Sequence, residues 1–119
     1  MLLAGAGGFV GTCCRFLINR LFLVVWNAPF PLATFVINIL GCFIFGLLNG
    51  WIGRLGLLSP RYNALLLVGF CGGFTTFSTF SNEAFNLGLN GETLISLVYI
   101  VGSVIAGLLA VWLGLTLSR

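Results

Sequence analysis

Four long apolar stretches, separated by short turn signals, leave this chain very few folds to choose from. A helix of about 20 mostly apolar residues crosses a membrane core about 30 Å thick. Residues 2–24 form the first such stretch and end before Trp26-Asn27-Ala28-Pro29-Phe30-Pro31, whose prolines stop a helix. Arg15 and Arg20 follow the first apolar residues rather than preceding them, the reverse of a secretory signal, so this stretch reads as a span. Residues 32–52 form the second span. A connection carrying Arg54 then ends in Ser59-Pro60, a helix N-cap followed by proline at the first helical position. The third span runs over 61–86, the Leu87-Gly88-Leu89-Asn90-Gly91 turn follows, and Glu92 falls in the first turn of a fourth span over 92–117, where the helix dipole favours an anion. Composition closes the soluble alternative. Of 119 residues, 60% are hydrophobic and 6% charged, more apolar surface than a chain of this size can hide from water. The expected fold is a single all-α integral membrane domain of four transmembrane helices.

The charged side chains exclude several functions. Arg15, Arg20, Arg54, Arg61 and Arg119 stand against Glu83 and Glu92, with no Lys, Asp or His. Five scattered arginines make no basic patch, which removes nucleic acid as a partner. Without His or Asp the chain builds no Ser-His-Asp or Cys-His system and no histidine metal site, so composition argues against an enzyme. Cys13, Cys14, Cys42 and Cys71 lie in apolar stretches without a Cys-x-x-Cys spacing and read as packing residues. With four spans, Arg54, Arg61 and Arg119 fall on one side and Arg15 and Arg20 toward the other. Three against two is almost no positive-inside bias, so insertion in both orientations is expected. Small residues four apart (Gly7 and Gly11, Gly46 and Gly50, Gly69 and Gly73, Ser103 and Gly107) let helix backbones approach closely. Four helices enclose little of a pathway by themselves, which points to a homodimer.

Each span also carries a polar stripe. Gly8, Gly11, Arg15 and Asn19 share a face of the first; Thr34 and Asn38 align with Gly41 and Phe45 in the second; Ser96, Tyr99 and Ser103 align with Gly107 in the fourth. A single Ser or Thr in a span usually glues helices together, whereas the mid-span amide of Asn38 is costly in lipid and marks a candidate site. Arg15 competes between such a role and snorkelling to the interface. The third span departs furthest from an ordinary membrane helix. From Thr75 to Glu83, seven of nine residues are polar, directly after a Gly72-Gly73 pair. Irregular backbone at that depth survives only if it lines a cavity or is buried in protein, so a helix broken mid-membrane is expected here. Such a break offers carbonyls to a cation and amides to an anion. Phe74, Phe77 and Phe80 recur every third residue among Thr76, Ser78, Thr79 and Ser81. Hydroxyl donors and the electropositive edges of rings suit a small anion.

With these residues in view, the chain resembles the Fluc (CrcB) family of fluoride channels over essentially its whole length. The resemblance rests on the Gly-Phe-Cys-Gly-Gly-Phe-Thr-Thr-Phe-Ser-Thr-Phe-Ser run at 69–81, the Asn-Ile-Leu-Gly run at 38–41, Gly8 to Arg15, and Tyr99 with Ser103. It implies an antiparallel dual-topology homodimer in the lipid bilayer of the bacterial inner membrane. Each of two pores would passively conduct fluoride, reject chloride and lower the cytoplasmic fluoride concentration. It further implies that Phe77 and Phe80 contact the anion, that Asn38 supplies a pore amide, and that Ser78, Thr79, Ser81, Tyr99 and Ser103 line the path. Thr34 and Arg15 match vestibule positions. A structural sodium ion at the dimer centre would be held by backbone carbonyls of Gly72 and Thr75. Phe74 matches a position where aliphatic residues also occur and takes no special role.

Two other readings compete. A small dual-topology proton-coupled exporter needs a membrane-embedded carboxylate, and the first span has none, while Glu83 and Glu92 lie toward the end of the third span and its following turn. A non-transporting membrane scaffold explains the glycines but not the polar run from Thr75 to Glu83.

Overall fold

The computed structural model describes residues 1–55 and 60–119, and they are helical almost throughout. Helix α1 spans Leu2–Val25 and α2 spans Leu32–Arg54. The third span opens at Pro60–Tyr62, continues as a nine-residue π-helical stretch, Asn63–Cys71, and regains α-geometry at Gly72–Phe74; together these form α3. After a two-residue break, α4 covers Phe77–Leu89 and α5 covers Thr93–Ser118. Four helical segments are long and apolar enough to cross a membrane, the third being α3 and α4 taken together. The long axis of 49 Å matches a bilayer including its headgroups, about 40–45 Å thick. The expected Ser59 cap lies outside the described residues.

Local chemistry accounts for the ends. Trp26 is extended and Pro31 precedes the first residue of α2, so the proline-rich segment separates α1 from α2. At the other tight connection the helix runs three residues beyond the expected 86. Gly91 takes a left-handed φ of 81°, and the Glu92 amide donates to the Leu87 carbonyl at 2.8 Å, which closes the end of α4. Glu92 is the residue before α5 rather than part of its first turn; its carbonyl accepts from the Ser96 amide.

The helices do not pack in sequence order. α1 lies mainly against α3, α2 mainly against α5, and α4 against α5. Glycines set both close pairs. A Cβ on Gly11 would collide with the Phe70 carbonyl and lie 2.8 Å from the Phe74 amide, and one on Gly73 would lie 2.9 Å from Gly8 Cα. Gly46 sits equally tightly against Val111 and Leu115 of α5, and Gly114 against Phe43 and Leu47 of α2. Ser118 Oγ donates at 2.8 Å to the Gly114 carbonyl of its own helix and lies 3.3 Å from the Gly46 carbonyl of α2, while Ser96 Oγ ties α5 to α4 through the Ala84 carbonyl at 2.7 Å. Of the expected small-residue pairs, Ser103 and Gly107 lie less tightly, with only Cys42 Sγ at 3.4 Å from a Cβ placed on Gly107.

Gly11→Ala should therefore weaken the α1–α3 pair by about 1–3 kcal/mol, as overpacking does. Gly5→Ala, on the same helix with open space around it, should be tolerated. Heating the two variants in detergent and following monodisperse protein separates them; equal losses would remove close approach as the reason for Gly11.

Candidate functional site

The break between α3 and α4 is built by two threonines and one asparagine. Sequence alone centres it on Gly72-Gly73 with the threonines behind; the structure moves it wholly onto Thr75 and Thr76. Thr75 has φ −85° and ψ 161° and Thr76 has φ −150° and ψ 119°, both extended, whereas Gly72–Phe74 stays helical. Gly73 is used for its lack of a side chain against Gly8, so it serves packing rather than helix termination, while Gly72 beside it stays helical with open space around it. Thr75 closes α3 by sending its amide (3.0 Å) and its hydroxyl (2.9 Å) to the Cys71 carbonyl.

Asn38 then holds the chain open. Its Oδ1 accepts from the Thr76 amide at 2.9 Å, and its Nδ2 donates to the Thr76 carbonyl at 3.2 Å. The amide side chain thus satisfies both backbone groups of one residue, as a neighbouring strand would. The Thr76 amide would serve the Gly72 carbonyl in a continuous helix, so its diversion takes away that carbonyl's usual donor. The Thr76 hydroxyl in turn caps α4 by accepting from the Thr79 amide at 3.3 Å.

Arg15, from α1, donates through Nε to the Gly73 carbonyl at 3.1 Å. This puts a cation at the carbonyl end of α3, where the helix dipole favours one. The positive N-terminal end of α4 lies across the break.

Beside the break is an open groove of about 200 Å³ lined by Asn38, Cys42, Thr75, Thr76, Phe77 and Phe80. Four of the residues singled out from the sequence therefore meet at one place: Asn38, Thr75, Phe77 and Phe80. The Phe77 and Phe80 rings stand 5.9 Å apart at 46°, and Phe77 is 79% exposed, so its ring projects from the chain. Phe80 also meets Tyr99 at 5.0 Å. The fully buried Tyr99 donates its hydroxyl to Glu83 Oε1 at 3.0 Å. The buried Thr34 side chain completes this cluster with Glu83 and Tyr99. One turn beyond Tyr99, Ser103 Oγ is, among the described residues, the one buried side-chain oxygen or nitrogen with no hydrogen-bond partner. Thr79 is partly buried, and Ser78 and Ser81 are exposed on α4. Phe74 is buried and stacks on Phe70 at 5.7 Å, away from this groove.

Sequence reasoning gave no role to Glu83 or Phe30, read Cys42 only as packing and Thr76 only as one hydroxyl among several, and the structure brings all four to the site. Thr76 carries an N-cap signal, a threonine three residues before Thr79, which marks it as the start of α4. Glu83 lies one turn from Phe80 on the same face of α4, a spacing that places its carboxylate near whatever Phe80 meets. Cys42 follows Asn38 by one helical turn. Phe30, in the proline-rich connection, bears no signal beyond its own apolar ring.

Among the described residues there is no cluster of three or more His, Cys, Asp or Glu to bind a metal ion. Backbone oxygens are different. Gly72 is exposed with open space about its Cα, its carbonyl lacks its helical donor, and Thr75 is extended beside it. Carbonyls at the end of an interrupted membrane helix are ligands that suit sodium, so these residues fit the ion that the family resemblance implies.

The arrangement offers a small anion hydroxyl donors, an amide, ring edges and a helix N-terminus, with an arginine close by. Comparisons with known proteins agree. A family model described as CrcB-like protein, Camphor Resistance (CrcB), matches residues 2–115. A protein of Chlorobium phaeobacteroides (strain BS1), named fluoride-specific ion channel, is 41% identical over all of this chain and 92% of its own length. Similar proteins of the same name occur in Chlorobaculum tepidum, at 42% identity, and Methylobacillus flagellatus, at 41%; each is matched over all of this chain and 94% of its own.

Proposed function

The chain belongs to the CrcB-like family, and from that premise we propose that it is a passive fluoride-selective channel of the bacterial inner membrane, working as an antiparallel homodimer with two pores. The observation that carries the reading is the Asn38-held break at Thr75–Thr76, with Phe77 and Phe80 projecting beside it.

Fluoride is small and strongly hydrated, so a dry path must return much of its hydration energy. Hydroxyl and amide donors do so directly, and phenylalanine edges present the positive part of the ring quadrupole. Ring edges are also weak enough to release the ion, as conduction requires. On this reading Phe77 and Phe80 contact the anion, and Asn38 keeps the break open through Oδ1 and one Nδ2 hydrogen while its second Nδ2 hydrogen remains to donate to the anion. Ser103, with an uncommitted hydroxyl, offers a donor one turn past Tyr99, and Ser78, Thr79 and Ser81 add hydroxyls along α4. Arg15 contributes a positive potential without binding the ion tightly. Thr34 acts through the Glu83 and Tyr99 cluster.

Two antiparallel copies would bring two broken spans together. Carbonyls of Gly72 and Thr75 from each would then hold a sodium ion, which when bound supplies a fixed positive charge beside the anion path. The weak arginine asymmetry supports insertion in both orientations.

Ion efflux from liposomes containing the purified protein tests the reading. Rapid fluoride loss with chloride retained and no need for a proton gradient is expected. Proton-dependent movement would establish a coupled transporter instead, and no movement of either ion would leave a scaffold.

A further inference from the structure

Five aromatic rings connect the first extramembrane connection to the break. Phe35 meets Phe30 at 5.5 Å, Phe30 meets Tyr99 edge-on at 5.4 Å and 81°, Tyr99 meets Phe80 at 5.0 Å, and Phe80 meets Phe77 at 5.9 Å. Phe30 does not lie on any helix, yet its carbonyl is held by two donors. Its carbonyl accepts from the Trp26 indole Nε1 at 2.8 Å and from the Leu32 amide at 2.8 Å. The two prolines around it, Pro29 and Pro31, restrict the segment further.

We infer that Phe30 is a positioning residue of the conduction path, setting the Phe80 ring through Tyr99. The inference rests on the proposed fluoride pathway and extends it to a residue outside every span. Tyr99 is completely buried and can move only with its neighbours. On one side it bears on Phe80, its hydroxyl is committed to Glu83, and the Phe30 edge meets its ring. Phe30 and Phe80 pack on the same buried cluster of Ala84, Leu87 and Tyr99. Removing the Phe30 ring leaves Tyr99 free to tilt into the vacated space. A Tyr99 tilt shifts the Phe80 ring against its partner Phe77, since both of these pairs are tilted contacts, at 56° and 46°, whose energy depends on mutual ring orientation. The direction of the Phe80 edge is what an anion would sense.

The test uses the full chain reconstituted in liposomes, with unitary fluoride rate and fluoride-over-chloride ratio as readouts. Neither depends on how much protein folds. Phe30→Tyr keeps the ring and should conduct as the parent does. Phe30→Leu keeps apolar volume without the ring and should lower the unitary rate roughly threefold to tenfold, in line with the strength of one aromatic pair. Trp26→Phe removes the indole donor to the Phe30 carbonyl and should act in the same direction, less strongly. An unchanged unitary rate and ratio in Phe30→Leu and Trp26→Phe would overturn the assignment. So would loss of folded protein in both, which would make the connection a stabilising element only. If the parent protein moves no fluoride, the proposed function itself fails, and that outcome is read before any variant is compared.

Discussion

Asn38→Asp should remove most fluoride movement, at least about tenfold, while leaving protein that still inserts in the membrane. The substitution is nearly isosteric and acts twice. The Thr76 carbonyl, which now accepts from Nδ2 at 3.2 Å, would face an oxygen with no hydrogen to give. Leaving such a group unsatisfied costs about 1–3 kcal/mol. A carboxylate beside Phe77 and Phe80 would also add negative potential to an anion path of low dielectric, where charge acts more strongly than in water. Asn38→Ala separates the two causes, because it breaks both bonds to Thr76 without adding charge. Fluoride efflux from liposomes should be lowest for aspartate, intermediate for alanine and highest for the parent. Equal, undiminished efflux in both variants would leave Asn38 a packing residue and sink the mechanism built on it.

The second large effect is expected at the rings. Phe77→Ile should lower fluoride flux at least about tenfold with almost no loss of stability, since Phe77 is 79% exposed within the chain and gives up little internal packing. Phe80→Ile should cut flux as much, but with an added stability loss of about 1–3 kcal/mol, because its ring is partly buried against Tyr99 and Phe77. An aliphatic side chain has similar bulk and no quadrupole, so it tests ring electrostatics rather than size. The pair is informative because the flux and stability effects diverge. Flux that follows stability would assign both rings to packing, and normal flux in Phe77→Ile would remove that ring from the path.

The parts of this protein legible from its sequence are those fixed by solvent. A bilayer demands about 20 apolar residues per span, and Pro29, Pro31, Pro60 and Gly91 mark where spans cannot continue, so four helices follow with ends off by a few residues. The polar run after Cys71 is equally plain, because no ordinary membrane helix carries it. What sequence could not supply is pairing. Asn38 reads as a costly amide, but its partner is a backbone unit 38 residues away, and nothing local to either announces the other. Gly72-Gly73 reads as a helix breaker since glycine favours both disruption and close approach, and only the position of α1 shows that Gly73 serves close approach. The π-helical stretch Asn63–Cys71 has no compositional mark that sets it apart from an α-helix. Phe30 sits in a turn, where an apolar ring implies nothing until Tyr99 is seen beside it.

The interleaved pairing of helices bears on how the protein is made. α1 leaves the ribosome first, but its main partner is α3, and α2 must wait for α5, the last helix to be synthesised. A hairpin of α1 and α2 alone would leave Gly7 and Gly11 on one helix and Gly46 and Gly50 on the other with their close-packed surfaces turned to lipid. Insertion can therefore proceed helix by helix, while the α1–α3 pair waits for the third span and the α2–α5 pair until almost the whole chain is in the bilayer. The α2–α5 interface is the last to form, and the small, fully buried Ser118 packs at its end against Gly46 and Gly50 of α2.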